Sequence, residues 1–257
     1  MSGTKGTLRI VDRVFDVLEC FSEERREWGV TQLAQHLDLH KSVVQRILTS
    51  LAARGYLRCD PKTRRYTLGL RFLDISTVAL EGIDLRDIAL PYMRELVRAT
   101  DETGLLTIVD GDEGVCIGKV ESTQGVKCTS FVGKRMPLHA GAVTKVLMAY
   151  LPEHQVERII ARGLKRFTQY TVTDPITLRA QLEEVRRQGY CITEQEVDPG
   201  SVAVAAPIRD HTGEVVAGLS LSAPMFRVTA ETLQRIIPLV VETAERISGA
   251  LGSRGRP

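Results

Sequence analysis

The stretch from residue 30 to residue 57 decides the fold, and it reads VTQLAQHLDLHKSVVQRILTSLAARGYL. Apolar residues recur at helical spacing over 32–37 and again over 41–54, and the turn Asp38-Leu39-His40 separates the two patterns. Thr31 stands just before the first pattern, and threonine favours the N-cap of a helix, so we expect that helix to begin there. Two short helices joined by a tight turn are typical of a helix-turn-helix.

The second of these helices, 41–54, has an apolar face and a polar face. The apolar face consists of Val44, Ile47, Leu48, Leu51 and Ala52. The polar face consists of Lys41, Ser42, Gln45, Arg46 and Thr49. Glutamine pairs with adenine edges, arginine with guanine edges or phosphate, and serine with either, which predicts a recognition helix for the major groove. Candidate DNA contacts also include Val43 on this helix, and Thr31 and Gln32 at the start of the preceding one.

The segment after Gly55 predicts a β-hairpin. The runs 56–59 and 64–68 alternate in polarity as strands do, and the turn-forming residues 60–63 separate them. A hairpin with a basic tip beside a recognition helix is a wing, which places Arg64 and Arg65 against backbone phosphate. The alternative is an ordinary three-helix domain whose polar helix face is solvated, but it does not account for this hairpin.

The charge distribution also favours DNA binding by the N-terminal part. Residues 30–70 carry seven Lys and Arg side chains against Asp38 and Asp60, a local charge of +5. The whole chain carries +2, so the remaining residues sum to about −3. A basic segment attached to a mildly acidic body is what a DNA reader joined to a sensor would carry.

The sequence resembles the IclR family of bacterial regulators. The resemblance is carried by Val30-Thr31-Gln32-Leu33-Ala34, by His40-Lys41-Ser42-Val43-Val44-Gln45-Arg46-Ile47-Leu48 and by Gly55-Tyr56-Leu57. It continues through Pro137-Leu138-His139-Ala140, Asp174-Pro175, Gly189-Tyr190, Glu196, Ala205-Ala206-Pro207-Ile208 and Ser220-Leu221-Ser222-Ala223-Pro224. The family commonly has Pro before the Lys-Ser pair and Thr after it, where this chain has His40 and Val43. The operator sequence therefore does not follow from the resemblance.

The resemblance implies an α+β protein with two domains. These are an N-terminal winged helix-turn-helix, residues 1–70, and a C-terminal GAF-like effector-binding domain with an antiparallel sheet, residues 83–252. A linker helix, residues 71–82, joins them. A helical pattern over 8–21 supplies a first helix ahead of the helix-turn-helix.

Patterns of helical and strand period predict the elements of the C-terminal part. Helical patterns cover 70–80, 83–100, 140–150, 153–161, 177–188 and 229–250. Strand patterns cover 105–109, 115–120, 126–131, 202–208 and 215–222. Pro91 lies inside the second helical pattern and predicts a kink or a restart there. Strand clusters separated by helices indicate an α+β domain with an antiparallel sheet.

The resemblance also places an effector against one face of this sheet. Carried over position by position, the implied wall is Ala142, Val143, Thr193, Ala203, Ser220 and Ser222. The two serines are two residues apart on a predicted strand, so both point to one face, where their hydroxyls can hold a carboxylate or carbonyl. The alternative is that they face solvent. The family usually has Gly where Thr144 precedes Lys145, so the shape of the pocket stays open, and the expected effector is a carboxylate or an aromatic metabolite.

No motif for catalysis or for a cofactor is recognisable in the sequence. It lacks a Gly-x-Ser-x-Gly elbow, a Gly-x-x-x-x-Gly-Lys-Ser/Thr phosphate loop and a His-Glu-x-x-His zinc motif. The five cysteines are widely spaced and odd in number, which favours neither a zinc site nor a disulfide framework. We therefore expect no enzyme, no metal and no cofactor. Glu196 stays open to a structural or pocket-rim role, to ligand contact or to catalysis.

These observations predict a ligand-responsive DNA-binding transcriptional regulator, a repressor or an activator, of a catabolic or metabolic operon. The expected partners are a pseudo-palindromic operator, a small-molecule effector and further copies of the chain, in a homodimer or a homotetramer built from dimers. No apolar run approaches a membrane span and the first residues do not resemble a secretory signal, so we expect a cytoplasmic protein. The alternative is a regulator that senses oxidation, through Cys116 or Cys128, or a protein partner.

Overall fold

The computed structural model describes residues 9–22, 24–81, 84–127 and 130–253. The chain divides into two compact units, residues 1–82 and residues 83–257. Helices and an antiparallel sheet occur together in each unit, which confirms the predicted α+β class. Among the described residues, no helix is long and apolar enough to cross a lipid bilayer.

The first unit is a winged helix-turn-helix. Its elements are α1 (Arg9–Glu19), β1 (Glu27–Gly29), α2 (Val30–His36), α3 (Lys41–Ala53), β2 (Leu57–Cys59), β3 (Arg65–Leu68) and α4 (Arg71–Glu81). Strand β3 lies between β1 and β2, and both pairs are antiparallel. Leu33 of α2 and Val44 and Leu48 of α3 are fully buried in the core, as the apolar periodicity predicted.

The entry to α2 differs from the prediction. We expected Thr31 to cap α2, but the helix already begins at Val30, Gly29 is at the N-cap position, and no side chain caps it. The reason is strand β1, which the sequence pattern did not reveal and which leads directly into the helix. Its Trp28 pairs with Tyr66 of β3, is buried, and donates from Nε1 to the carbonyl oxygen of Cys20 at 2.7 Å.

The end of α3 is as the sequence predicted. Gly55 has a φ of 79°, in the left-handed region that glycine adopts without strain. Its N–H donates to the carbonyl of Ala52 at 3.0 Å, and the N–H of Tyr56 donates to the carbonyl of Leu51 at 2.9 Å. These two bonds form a Schellman motif, which turns the chain out of α3 and into the wing formed by β2 and β3.

The second unit is a six-stranded antiparallel sheet with helices on both faces. Its helices are α5 (Asp84–Thr100), α6 (Ala142–Ala149), α7 (Glu153–Ala161), α8 (Pro175–Gln188) and α9 (Ala230–Ala250). Its strands are β4 (Thr103–Asp110), β5 (Glu113–Val120), β6 (Arg135–Pro137), β7 (Cys191–Glu194), β8 (Ser201–Arg209) and β9 (Val215–Pro224). The strand order is β6-β5-β4-β9-β8-β7.

Two apolar cores cover the two faces of this sheet. One joins α5 and α9 to strand residues such as Leu106, Leu219 and Ile208, all fully buried. The other joins α6, α7 and α8 to one another and to Ala205. Because β4, β8 and β9 are buried on both faces, they show weak alternation and read as apolar runs.

The second unit differs from the prediction at two strands, and it settles whether the helix restarts at Pro91. The expected strand over 126–131 is wrong for residues 126, 127, 130 and 131, and Cys128 and Thr129 lie outside the described residues. The edge strand is instead β6, which ends in Pro137, a residue that a sheet tolerates at its edge. The other edge strand, β7, was missed. Helix α5 continues through Pro91 without a restart.

Candidate functional site

The polar face of α3 is exposed as a recognition helix requires. Its exposed side chains are Lys41, Ser42, Gln45, Arg46 and Thr49. Thr31 and Gln32 of α2 are exposed as well, whereas Val43 is half-buried and packs against the core. The structure thus brings the predicted DNA contacts of α2 and α3 to the surface, with Val43 at its edge.

Hydrogen bonds hold part of this face in place. Gln45 donates from Nε2 to Thr49 Oγ1 at 3.0 Å and to the hydroxyl of Tyr66 at 3.3 Å. The amide nitrogen of Gln45 is therefore occupied within the protein, and its carbonyl oxygen is the atom left for a base or a water. Tyr66 belongs to β3, so this contact also ties the recognition helix to the wing.

The two predicted wing arginines have different surroundings. Arg64 is exposed at the hairpin turn with a φ of 57°. Arg65 is half-buried, forms an ion pair with Glu27 (Nη1 to Oε1, 2.7 Å) and donates weakly to Gln32 Oε1 at 3.5 Å. Arg64 is therefore the freer of the two for phosphate contact.

Two exposed cations of the wing are not among the predicted DNA contacts. Arg58 of β2 and Lys62 of the turn are both exposed. The turn is shaped by Asp60, whose carboxylate accepts from the N–H groups of Lys62 (2.7 Å) and Thr63 (3.1 Å). The hydrogen bond from the Thr63 N–H lowers the pKa of the Asp60 carboxyl most, and the one from the Lys62 N–H lowers it further. The location of Arg58 and Lys62 in the basic segment 30–70 is the sequence signal that could have identified them as DNA contacts.

Arg46 lies at the border between the polar face and a groove beside α1. The groove has a volume of about 470 Å³, and Arg13, Arg46 and Arg54 bring three cations to its walls. Such a concentration of positive charge next to the recognition helix favours contact with phosphate or with a guanine edge.

All six residues predicted for an effector pocket line one cavity of the second unit. They are Ala142, Val143, Thr193, Ala203, Ser220 and Ser222. The cavity measures about 100 Å³ and lies between the first turn of α6 and the sheet. Ser220 is only 2% exposed and Ser222 only 8%, so the alternative in which these serines face solvent does not hold.

Glycines allow α6 to lie close over the sheet here. A Cβ atom on Gly218 would lie 2.6 Å from Val143 Cγ2, and one on Gly114 would lie 2.9 Å from Thr144 Cγ2. Thr144 is accommodated because its methyl group lies over Gly114, and its hydroxyl shares its proton between the carbonyls of Ala140 and Gly141. The departure from the family's usual Gly at this position therefore leaves the start of α6 intact.

A buried ion pair lies beside the cavity, and one of its two members, Glu196, lines the cavity. Lys145 of α6 is 1% exposed and Glu196 is 7% exposed, and they are in direct contact. Lys145 Nζ also donates to Gln181 Oε1 at 2.7 Å, and Glu196 Oε2 accepts from the N–H of Gly141 at 3.2 Å. Of the roles left open for Glu196, this geometry supports a structural one in the cavity wall. The pair was missed because only contacts distant in sequence create it.

Burial shifts the pKa values of two thiols, Cys20 and Cys191, and of the buried His139 toward the neutral forms. Burial raises the pKa of the Cys191 thiol to about 12 and raises that of Cys20. Burial also lowers the pKa of His139, against an opposing hydrogen bond to the carbonyl of Lys165 (2.9 Å). A thiol with a raised pKa is a poor nucleophile, so neither Cys191 nor Cys20 has the character of a redox sensor. Cys128, one of the two candidates, lies outside the described residues.

A metal role finds no support in the part of the chain that the structure describes. No group of three or more His, Cys, Asp or Glu side chains is arranged there to hold an ion.

Sequence models of known families match both units. The one described as "IclR helix-turn-helix domain" matches residues 10–61, and the one described as "Bacterial transcriptional regulator IclR C-terminal" matches residues 77–249. The HTH-type transcriptional regulator KdgR of Escherichia coli (strain K12) is 36% identical over 247 residues, 95% of this chain and 93% of that protein. The HTH-type transcriptional repressor AllR of the same strain is 32% identical over 248 residues, 96% of this chain and 92% of that protein.

Solved structures agree with this assignment. IclR of Thermotoga maritima is 29% identical with a TM-score of 0.80, and the match covers 96% of this chain and 100% of that one. An IclR homologue of Microbacterium hydrocarbonoxydans, complexed with 4-hydroxybenzoate, is 25% identical with a TM-score of 0.84, covering 94% of this chain and 98% of that one. The chain therefore belongs to the IclR family of bacterial transcriptional regulators, with a helix-turn-helix DNA-binding domain and the family's C-terminal domain.

Proposed function

We propose that this regulator binds a pseudo-palindromic operator as a homodimer or a dimer of dimers, and that a small molecule in the cavity of the second unit changes its affinity for that operator. The observation that carries the proposal is that all six residues implied by the family resemblance meet around one cavity. The domains we propose are a winged helix-turn-helix over 1–70, a linker helix over 71–82 and an effector-binding domain over 83–252. Relatives named as transcriptional regulators support a cytoplasmic, non-enzymatic role.

On the DNA side, we assign base contacts to α3 and phosphate contacts to the wing. The exposed polar side chains of α3 are those that read base edges in a major groove. The exposed Arg64 at the tip of the wing and the α2 side chains Thr31 and Gln32 complete the contact surface. Arg65 contributes by holding Glu27 and Gln32 in place.

Replacing Arg46 with Ala should weaken operator binding about tenfold or more, because a good arginine contact to a guanine contributes about 1–3 kcal/mol. The side chain is exposed, so the melting temperature should change little. Fluorescence anisotropy with a duplex selected from random DNA by the wild-type protein measures the effect. Arg246→Ala, which removes an equally exposed arginine from the second unit, is the control. Normal operator affinity in the Arg46 variant would contradict the assignment.

On the sensor side, the cavity can hold a small acid. Ser220 and Ser222 present buried hydroxyls, and Ala142 and Val143 line the cavity from the first turn of α6, where the helix dipole favours a negative charge. The structural neighbour complexed with 4-hydroxybenzoate supports a carboxylate ligand for a domain of this fold. The direct test is to measure operator affinity and melting temperature together across a panel of small carboxylates and aromatic metabolites. A melting temperature that rises with a compound that also changes operator affinity is the expected result.

Two exposed apolar faces in the first unit support self-association. Val11 and Phe15, about one turn apart on α1, are 40% and 57% exposed, and Ile75 and Val78, about one turn apart on α4, are 45% and 69% exposed. Apolar side chains gathered on a helix face favour burial against a partner, and a two-fold dimer matches a pseudo-palindromic site.

Light scattering at micromolar concentration should therefore give a mass two or four times that of one chain. Replacing Phe15 and Val78 together with Asp should shift the protein toward the monomer and weaken operator binding, while the exposed apolar residues Tyr170 and Ile176 of the second unit supply control positions. A wild-type monomer with full operator affinity would disprove this part of the proposal.

A further inference from the structure

The cavity of the second unit contains hydroxyl groups to which the described residues supply no partner. The five hydroxyl side chains concerned are Thr107, Ser130, Thr193, Ser220 and Ser222. All are buried, with exposed fractions between 2% and 8%. Within the described residues, none of these hydroxyls donates or accepts a hydrogen bond.

Such a concentration of unpaired hydroxyls is unusual inside a protein, where most buried polar groups are hydrogen-bonded. The described side-chain atoms that are wholly enclosed without a partner are Arg86 Nε and the Tyr150 hydroxyl. The five hydroxyls are not enclosed in this way, so they are open to the cavity that their residues line. They are available to a ligand.

The cavity also contains a cation without a carboxylate partner. Lys134 lines it, is half-buried, and forms no ion pair with any described residue. Two carboxylates line the same cavity, but Glu196 is neutralised by Lys145, and Asp198 is exposed to solvent. The positive charge of Lys134 is therefore the one that a negative group of a ligand would neutralise.

We propose that the ligand is a small aliphatic acid carrying several hydroxyl groups, and that Lys134 is a specificity-determining residue that binds its carboxylate. The ligand's hydroxyls then pair with the five hydroxyls of the wall. This inference rests on the proposed function, since it names the chemical class of the effector for the same cavity. A volume of about 100 Å³ favours a small ligand.

Other ligand classes satisfy this wall less well. An aromatic acid presents its apolar ring to the hydroxyls and displaces water without replacing its hydrogen bonds, which loses affinity. A neutral polyol pairs the hydroxyls but leaves Lys134 without a counter-charge. A hydroxylated acid satisfies both, and its bond to Lys134 is charge-assisted and correspondingly strong.

The test is isothermal titration calorimetry on the full-length protein with matched probes. The hydroxylated acids are D-glycerate, L-threonate and D-gluconate, the aromatic acid is 4-hydroxybenzoate, and the neutral polyol is D-glucitol. We expect at least one hydroxylated acid to bind about tenfold or more tightly than both other classes. Lys134→Met should weaken that binding about tenfold or more, and Lys134→Arg should retain most of it, because the charge is preserved.

Three results would overturn the inference. One is tighter binding of 4-hydroxybenzoate or D-glucitol than of every hydroxylated acid, and another is unchanged affinity in Lys134→Met. The third is failure of all three hydroxylated acids to bind. If aromatic or other acids bind and change operator affinity, the proposed sensor function stands and only the ligand class is wrong. If no compound binds or changes operator affinity, the sensor function itself fails.

Discussion

Replacing Lys145 with methionine should lower the free energy of unfolding of the second unit by about 3–5 kcal/mol, as is usual when one partner of a buried ion pair is removed. Methionine keeps the length of the side chain and removes its charge, so the packing in α6 is largely preserved. The substitution leaves Glu196, which is only 7% exposed, without its cation, and among the described residues the N–H of Gly141 is then the one donor left to its carboxylate. Chemical denaturation followed by circular dichroism measures the loss.

Two further variants identify the cause of that loss. Lys165→Met makes the same change at an exposed position of the same unit and should cost less than about 1 kcal/mol, the cation–π contact with Phe167 included. The double variant Lys145→Met with Glu196→Gln removes the unpaired charge and should recover part of the stability. A loss for Lys145→Met no larger than that for Lys165→Met would show that the ion pair does not hold this wall together.

The ion pair also bears on the cavity itself. Glu196 holds the N–H of Gly141, whose φ of 93° lies in the region that only glycine adopts readily. Gly141 precedes α6, and Ala142 and Val143 follow it in the cavity wall. The segment around Glu196 is anchored in turn, because Thr171 donates from its hydroxyl to the Glu196 carbonyl at 2.6 Å. The pair therefore fixes the backbone from which the proposed effector contacts project.

The helix-turn-helix could be predicted from the sequence because its signals are local. The apolar period of α3 and the glycine at its end depend on residues within one or two turns of each other. Strand β1 could not be predicted, because a strand of three residues shows no alternation and is defined by the pairing of Trp28 with Tyr66. Because β1 leads directly into α2, the helix begins at Val30 and not at the expected Thr31.

The edge strands of the larger sheet were difficult to predict from the sequence for the same reason. Strand β6 has three residues and β7 has four, too few for a periodic pattern, whereas the long strands β8 and β9 were recognised. The predicted strand over 126–131 includes the apolar residues Val126 and Phe131, which are exposed instead of paired. Edge strands are defined by the partner strand and not by their own composition.

The six cavity residues came from the family resemblance, and the rest of the wall required the three-dimensional structure. Thr107 lies on β4, and it is the antiparallel pairing of β4 with β9 that brings it near the serines. Lys145 and Glu196 are 51 residues apart in sequence, so no local pattern connects them. The sequence shows that Lys134 and Glu196 are charged, but the structure is needed to show that Glu196 is paired with Lys145.

Replacing Ser220 and Ser222 together with leucine should abolish the effect of the effector on operator affinity while operator binding itself persists. Both serines are buried in the cavity wall, so two leucines fill the space and remove both hydroxyls. The proposed DNA-binding residues belong to the other compact unit, which has its own core. In the wild type, coupling of about 1–3 kcal/mol corresponds to a roughly 5- to 150-fold change in operator affinity, which an anisotropy titration resolves.

The matched control is Ser220→Ala with Ser222→Ala, which removes the hydroxyls without adding bulk and should reduce the response without destabilising the sheet. It also guards against the possibility that the leucines overpack the core, an effect that thermal melting detects. The coupling must be reciprocal, so operator DNA should change effector affinity in the wild type by the same factor and have no effect in the leucine variant. A leucine variant that folds and still responds to the effector as the wild type does would mean that the effector binds elsewhere in the chain.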